Sequence, residues 1–219
     1  MVEPGPFEAF YASAVQHPLL LWLAAGVGLA VCLGRRDLRA SVRRYGVALA
    51  VLSALDAWLT ANHVYGLGAL PSAVPVAFVI AGDARYLLLW DAATPDGAIE
   101  ITPPALARAA ALALIVPIAA FVITTLLLPG QARVLYLTHE LLFCALTLAL
   151  LRWHPNARAL PWVRAVSRFV LLYYGLWAAA DLVLLATGAD IGFALRVVPN
   201  LLYYGGLIAA IGWLAPAQR

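Results

Sequence analysis

Three carboxylates, Asp56, Asp83 and Glu140, stand inside stretches that are otherwise apolar. A charged side chain inside a bilayer costs a few kcal/mol unless it meets a partner or water. Two carboxylates held close together in low dielectric cannot both ionise easily, so one keeps its proton. Such a group suits proton carrying or general acid chemistry. Asp56, Asp83 and Glu140 are therefore the candidates for that work. The plainer reading of Asp56 and Asp83 is that each ends a separate hydrogen-bond network with Ser53, Thr60 or Tyr86.

Asp56 lies in "LSALDAWLTANHVYG", residues 52–66. Ser53, Asp56, Thr60 and His63 follow the helical period and share one face. On later stretches Tyr173, Trp177 and Asp181 recur every four residues, and Arg196, Asn200 and Tyr203 form a second stripe. Asp181 and Arg196 read as an ion pair, either structural or suited to anion binding or gating, since forked guanidinium donors fit carboxylate and phosphate. Depth can be counted at about 1.5 Å per residue from turns expected near residues 69–70 and 189. Asp56 and Asp83 then share an inner level, with Arg85 below. His63, His139, Glu140, Asp181 and Arg196 share an outer one. The expected ligand-binding set is His63, His139, Asp181, Arg196, Asn200, Tyr173, Trp177 and Tyr203, around one interior cavity open to the outside.

No cofactor is expected. His63, His139, Glu140 and Asp181 are metal ligands in kind, and a haem could in principle lie between His63 and His139. Local spacing gives neither any support. "HELLF" at 139–143 begins like HExxH but ends in Phe143 where that motif needs a second histidine.

These residues need long apolar elements to hold them. Apolar residues make up 64% of the chain and charged residues 11%, where a soluble domain carries about 25% charged. With a mean hydropathy of +0.90, the class is a polytopic all-α membrane protein. Seven spans are expected, at roughly 16–34, 45–68, 71–90, 105–128, 133–153, 165–188 and 190–214. The largest loop, 91–104, is too short to fold alone. Arg35, Arg36, Arg39, Arg43 and Arg44 precede the second span, and Arg152, Arg158, Arg164 and Arg168 follow the fifth. By the positive-inside rule the N-terminus is outside and the C-terminus cytoplasmic. The expected site is the inner (cytoplasmic) membrane of a bacterium. Trp90, Trp153, Trp162 and Trp213 are expected as an aromatic belt at the inner boundary.

The pI near 9.1 is explained by these topology arginines and needs no nucleic-acid partner. Cys32 and Cys144 form no disulfide framework or CxxC motif. The sequence contains no lysine, which excludes a retinal Schiff base despite the span count.

Three segments repeat in order. "HPLL" at 17–20 matches "HELL" at 139–142, "ALDAWLTA" at 54–61 matches "AADLVLLA" at 179–186, and Val74-Pro75 with Gly82 match Val198-Pro199 with Gly206. Spans one to three (16–90) and five to seven (133–214) then form a parallel repeat joined by a linker helix at 105–128, in one transmembrane domain. This three-plus-one-plus-three layout resembles that of the SWEET sugar transporters and the KDEL receptor in architecture, without their PQ-loop signature. The leading functional expectation is a small-solute or proton-linked transporter with a polar cavity between the repeats. The alternatives are a membrane-embedded acid–base enzyme acting on a lipid or isoprenoid, and a receptor for a hydrophobic ligand. The expected partners are a small-molecule or lipid ligand and membrane lipids. The sequence leaves the oligomeric state open.

Overall fold

The computed structural model describes residues 3–61, 73–127 and 132–218. Among them the chain is helical, with one isolated β-bridge between Ala93 and Ile99. A short surface helix, α1 (Pro6–Tyr11), precedes α2 (Val15–Gly34), α3 (Ala40–Thr60) and α4 (Ala73–Leu87). A single turn, α5 (Leu89–Ala92), leads to α6 (Pro103–Leu127), α7 (Ala132–Trp153), α8 (Pro161–Thr187) and α9 (Ile191–Leu214).

Five helices are long and apolar enough to cross a membrane: α2, α6, α7, α8 and α9. The other two long ones differ for local reasons. Arg43, Arg44 and Asp56 all sit on α3, and the described part of α4 is 15 residues long. The expected second and third spans run partly through 62–72, outside the described residues, and His63 lies there too.

The seven long helices pack in chain order as a closed ring. Each touches the helices before and after it, and α9 closes on α2. The outer faces are greasy. Leu114, Ile115, Ile118, Phe121 and Val122 of α6, and Leu141 and Leu148 of α7, are exposed. The buried interior is largely apolar as well, but it also encloses Asp56, Asp83, Arg85, Glu140, Asp181 and Asn200 beside buried tyrosines, where charged groups avoid contact with lipid.

Small residues let α2 and α9 meet closely. A Cβ on Gly28 would lie 2.2 Å from the Gly205 carbonyl oxygen, and one on Gly205 would lie 2.0 Å from that of Ala24. This is backbone-to-backbone packing of the kind small residues allow in membranes. Helix α8 ends at Gly188, whose φ of 64° is the left-handed value that glycine takes without a Cβ clash.

Helix α9 is not uniform. Over Leu202–Gly206 it widens into a π turn, which frees a backbone carbonyl from its normal partner. The aligned repeat anchors differ here in local form. Gly206 lies in this wide turn and Gly82 in regular helix. Pro18 lies in a kinked segment, whereas His139–Leu142 is continuous helix.

The four tryptophans expected at the inner boundary differ in exposure. Trp153 and Trp213 are exposed, but Trp90 and Trp162 are buried. Trp90 donates to the Tyr86 hydroxyl at 3.1 Å, and Trp162 donates to the Thr94 carbonyl at 3.2 Å. A buried indole N–H needs an acceptor of this kind.

Candidate functional site

The ring positions three connected groups of polar side chains. The first is at the α1 end. Arg196 of α9 donates through Nη1 to Asp181 Oδ1 of α8, and Arg133 of α7 reaches the same oxygen at 3.3 Å. Glu140 Oε1 lies 3.7 Å from Arg196 Nη1. The Arg196 Nε and the Asn200 Nδ2, one turn apart, both donate to the Tyr11 hydroxyl, at 3.3 and 3.2 Å. Trp177 Nε1 donates to Asn200 Oδ1 at 2.8 Å and so fixes which way that amide points. The expected Asp181–Arg196 pair is present. Arg133 and Tyr11 are additions that spacing on one helix could not reveal.

Asp83 organises the second group. Its Oδ1 accepts from the Tyr174 hydroxyl, and its Oδ2 lies 3.2 Å from His139 Nε2. The latter is a close contact without hydrogen-bond geometry, and Oδ2 has no hydrogen-bond partner among the described residues. Phe143 stacks on Tyr174 at a centroid distance of 4.3 Å, covering the cluster from the α7 side. His139 was expected on the outer level and Asp83 on the inner. They meet, so a depth count made from each turn separately does not predict this contact.

The third group surrounds Arg85. Its Nη1 donates to Ser53 Oγ at 2.7 Å, and its Nη2 to the Tyr203 carbonyl at 2.8 Å. That carbonyl belongs to the π turn. The guanidinium also lies 4.1 Å from the centroid of the Tyr203 ring, a cation–π contact. The Tyr203 hydroxyl reaches over Gly82, where a Cβ would stand 1.6 Å from it. Asp56 faces the Tyr204 hydroxyl and lies within the field of Arg85.

Asp56 and Asp83 therefore belong to different networks, and among the described residues no contact joins them. The polar stripe on α3 also divides. Ser53 serves Arg85, whereas Thr60 Oγ1 turns back to its own helix and donates to the Asp56 backbone carbonyl at 2.8 Å. Tyr173 packs edge-on against Trp177 and Tyr203, tying the first and third groups together.

This interior is closed. Asp181 is 0% exposed, Asp83 2%, Glu140 4% and Arg85 5%. Among the described residues, tyrosines, Trp177 and the ions pack against one another at the place expected for the cavity. The one pocket described is an apolar groove of about 310 Å³ between α2 and α3, lined by Trp22, Leu29, Val47 and Val51 among others. It contains none of the candidate residues. Among the described residues no group of three or more His, Cys, Asp or Glu side chains is placed to hold a metal ion.

The opposite end is tied by many bonds. Arg108 Nε meets Asp91 at 3.0 Å, and Arg39 pairs with Asp96. The Ile99 N–H donates to Ser41 Oγ at 3.1 Å, and Arg35 donates to the Trp213 carbonyl at 2.9 Å. Hydrogen bonding with Arg35 holds Asp37 below the usual carboxylate range, and the Thr94 hydroxyl does the same for Asp96. Burial pushes the His154 imidazole below its ordinary value despite nearby Asp91. Arginines 35, 39 and 108 thus gather at this end.

Comparison with protein-family models, curated proteins and solved structures finds no match to the chain.

Proposed function

We propose that the protein is a proton-linked transporter of a small solute, seated in the inner membrane of a bacterium with its N-terminus outside and seven spans. The observation that carries this reading is an interior charge count. Among the described residues the buried carboxylates Asp56, Asp83, Glu140 and Asp181 share the interior with Arg85 and Arg196, and with Arg133 at its 32% exposed rim. Four carboxylates against three guanidiniums leave one negative charge over, which low dielectric disfavours by several kcal/mol. One added proton makes the set neutral. The Asp83–His139–Tyr174 group is where that proton belongs, because His139 adds a second basic site to a carboxylate with no guanidinium of its own. Asp56 has Arg85, Asp181 has two arginines, and Glu140 shares Arg196 at 3.7 Å. The proposal accordingly moves the carrier from Asp56 to Asp83 with His139.

The packed core then corresponds to an occluded state, with the α1 end as the more weakly held gate. The arginine-rich opposite end supports a cytoplasmic placement. The three-plus-one-plus-three repeat belongs to this proposal as well, and would put the site between its halves.

The test is solute-evoked proton movement in vesicles that contain the purified protein and a pH-reporting dye. A panel of small organic acids, sugars, amino acids and organic cations is added outside. The reading expects at least one solute to evoke a flux that Asp83→Asn and His139→Gln abolish. It is overturned if no member evokes flux, or if both variants carry it at the original rate.

A further inference from the structure

Tyr11 is bound as a ligand would be. Two donors from α9, Arg196 Nε and Asn200 Nδ2, converge on its phenolic oxygen. Both donors are held from behind. Asp181 fixes Nη1 of Arg196, and Trp177 fixes the amide oxygen of Asn200, so its NH₂ must point toward Tyr11. Neither donor depends on Tyr11 for its position. Burial of an unfilled guanidinium edge and amide is costly, so an oxygen must occupy this point in every closed state.

The element that brings this oxygen is weakly attached. No residue of α1 is buried. Its N-terminal N–H groups, at Phe7 and Glu8, are held by Asp190 at 2.7 and 2.8 Å from the α8–α9 turn. Tyr11 itself packs on Phe193 at a centroid distance of 5.8 Å. A segment with few buried contacts opens at low free energy. Lifting of α1 would take the Tyr11 oxygen away from the two donors, beside which lie Trp177 and, packed on it, Tyr173 and Tyr203.

We infer that Arg196 and Asn200 form the binding site for the carboxylate of a small organic acid, and that Tyr11 fills that site in the closed protein. A carboxylate is a better acceptor for these donors than a phenol, because both partners of the Arg196 bond are then ionised, and a proton taken up with the acid offsets the Asp181 and Glu140 charges beside Arg196. The adjoining aromatic surface suits an apolar or aromatic body behind the carboxylate. This assignment rests on the transporter reading, since it names the substrate class that site would take.

The test is binding of benzoate to the purified full chain in lipid nanodiscs, followed by tryptophan fluorescence, since Trp177 touches the site. Benzamide, chloride and phosphate are the comparison probes. The inference expects saturable benzoate binding, with none for benzamide. Tyr11→Phe removes the competing hydroxyl but keeps the ring. It should bind benzoate roughly tenfold more tightly, the effect of one charge-assisted hydrogen bond. Asn200→Asp places a like charge at the site and should abolish binding, while Asn200→Gln, which keeps the donor, should retain part of it. The inference is overturned if benzoate and benzamide bind alike, if Tyr11→Phe leaves the affinity unchanged, or if chloride or phosphate binds at the same site more tightly than benzoate. Benzoate that binds as expected without any accompanying proton flux in vesicles would support the site and count against the transporter reading. Failure of benzoate to bind, with proton flux evoked by another solute and lost in His139→Gln, would do the reverse.

Discussion

Removing Asp181 should destabilise the bundle more than removing Asp181 and Arg196 together. Asp181 is fully buried, and its Oδ1 accepts from both Arg196 and Arg133. Loss of one partner of a buried pair costs about 3–5 kcal/mol, mostly because the other charge is left without compensation. Two features of the site place Asp181→Ala near the lower end. Arg133 is 32% exposed and can turn to water. Arg196 keeps Glu140 at 3.7 Å as a second, poorer partner. A cost of about 3 kcal/mol is therefore expected. The double variant Asp181→Ala/Arg196→Ala removes both charges, and a coupling of about 1–2 kcal/mol should return. The measurement is equilibrium unfolding in mixed micelles, followed through Trp177, one turn from Asp181 on α8. If the double variant is as unstable as Asp181→Ala or more so, the guanidinium is not stranded by loss of the carboxylate, and the ion-pair reasoning fails.

Close helix contact predicts that Gly205→Ala, which forces a Cβ against the Ala24 backbone, destabilises by at least about 1–3 kcal/mol. Gly26→Ala on α2, where a Cβ meets nothing within 4 Å, should change stability by no more than about 0.5 kcal/mol in the same unfolding assay. At the opposite end, His154 Nδ1 accepts the Asn156 N–H at 3.2 Å, and burial holds the imidazole below its ordinary value of about 6.5. The unfolded chain therefore takes up this proton first, so stability should fall as pH drops below that value, and His154→Gln should flatten this part of the unfolding–pH curve. For topology, cysteines at Ala9 and Arg158, both exposed, should label from opposite faces of the membrane, with buried Cys32 and half-buried Cys144 as background. Labelling of both from one face would remove the N-outside arrangement.

The long apolar helices were legible because they depend on composition and length alone. Helices α2, α6, α7, α8 and α9 begin and end within a few residues of the expected spans. Helix starts were read late where arginines stood at the boundary. Arg43, Arg44, Arg164 and Arg168 lie inside α3 and α8, because long side chains can leave a helix end for water. The Asp181–Arg196 pair was legible because a tight turn fixes the relative height of two adjacent helices. The Asp83–His139 contact was not, since it joins α4 to α7 across two connections. Tyr11 left no periodic signal, because α1 is only six residues long and has no buried face. Tyr204 escaped notice because the widened turn at Leu202–Gly206 rotates the face of α9 relative to a regular helix. An adjacent Tyr-Tyr ahead of Gly-Gly was the available hint, since paired glycines favour a break in regular helix.

The central claim is that the buried interior holds one exchangeable proton and that it belongs to the Asp83–His139 pair. Infrared difference spectra of the protein in lipid, recorded between acid and alkaline pH, test this most directly. The account predicts one buried group that titrates in the carboxylic-acid or imidazole region. Asp83→Asn and His139→Gln should each remove the same signal, because the proton is shared by the pair, whereas Asp96→Asn at the exposed loop should leave it in place. A signal that persists in both Asp83→Asn and His139→Gln, or that disappears in Asp56→Asn instead, would contradict the account.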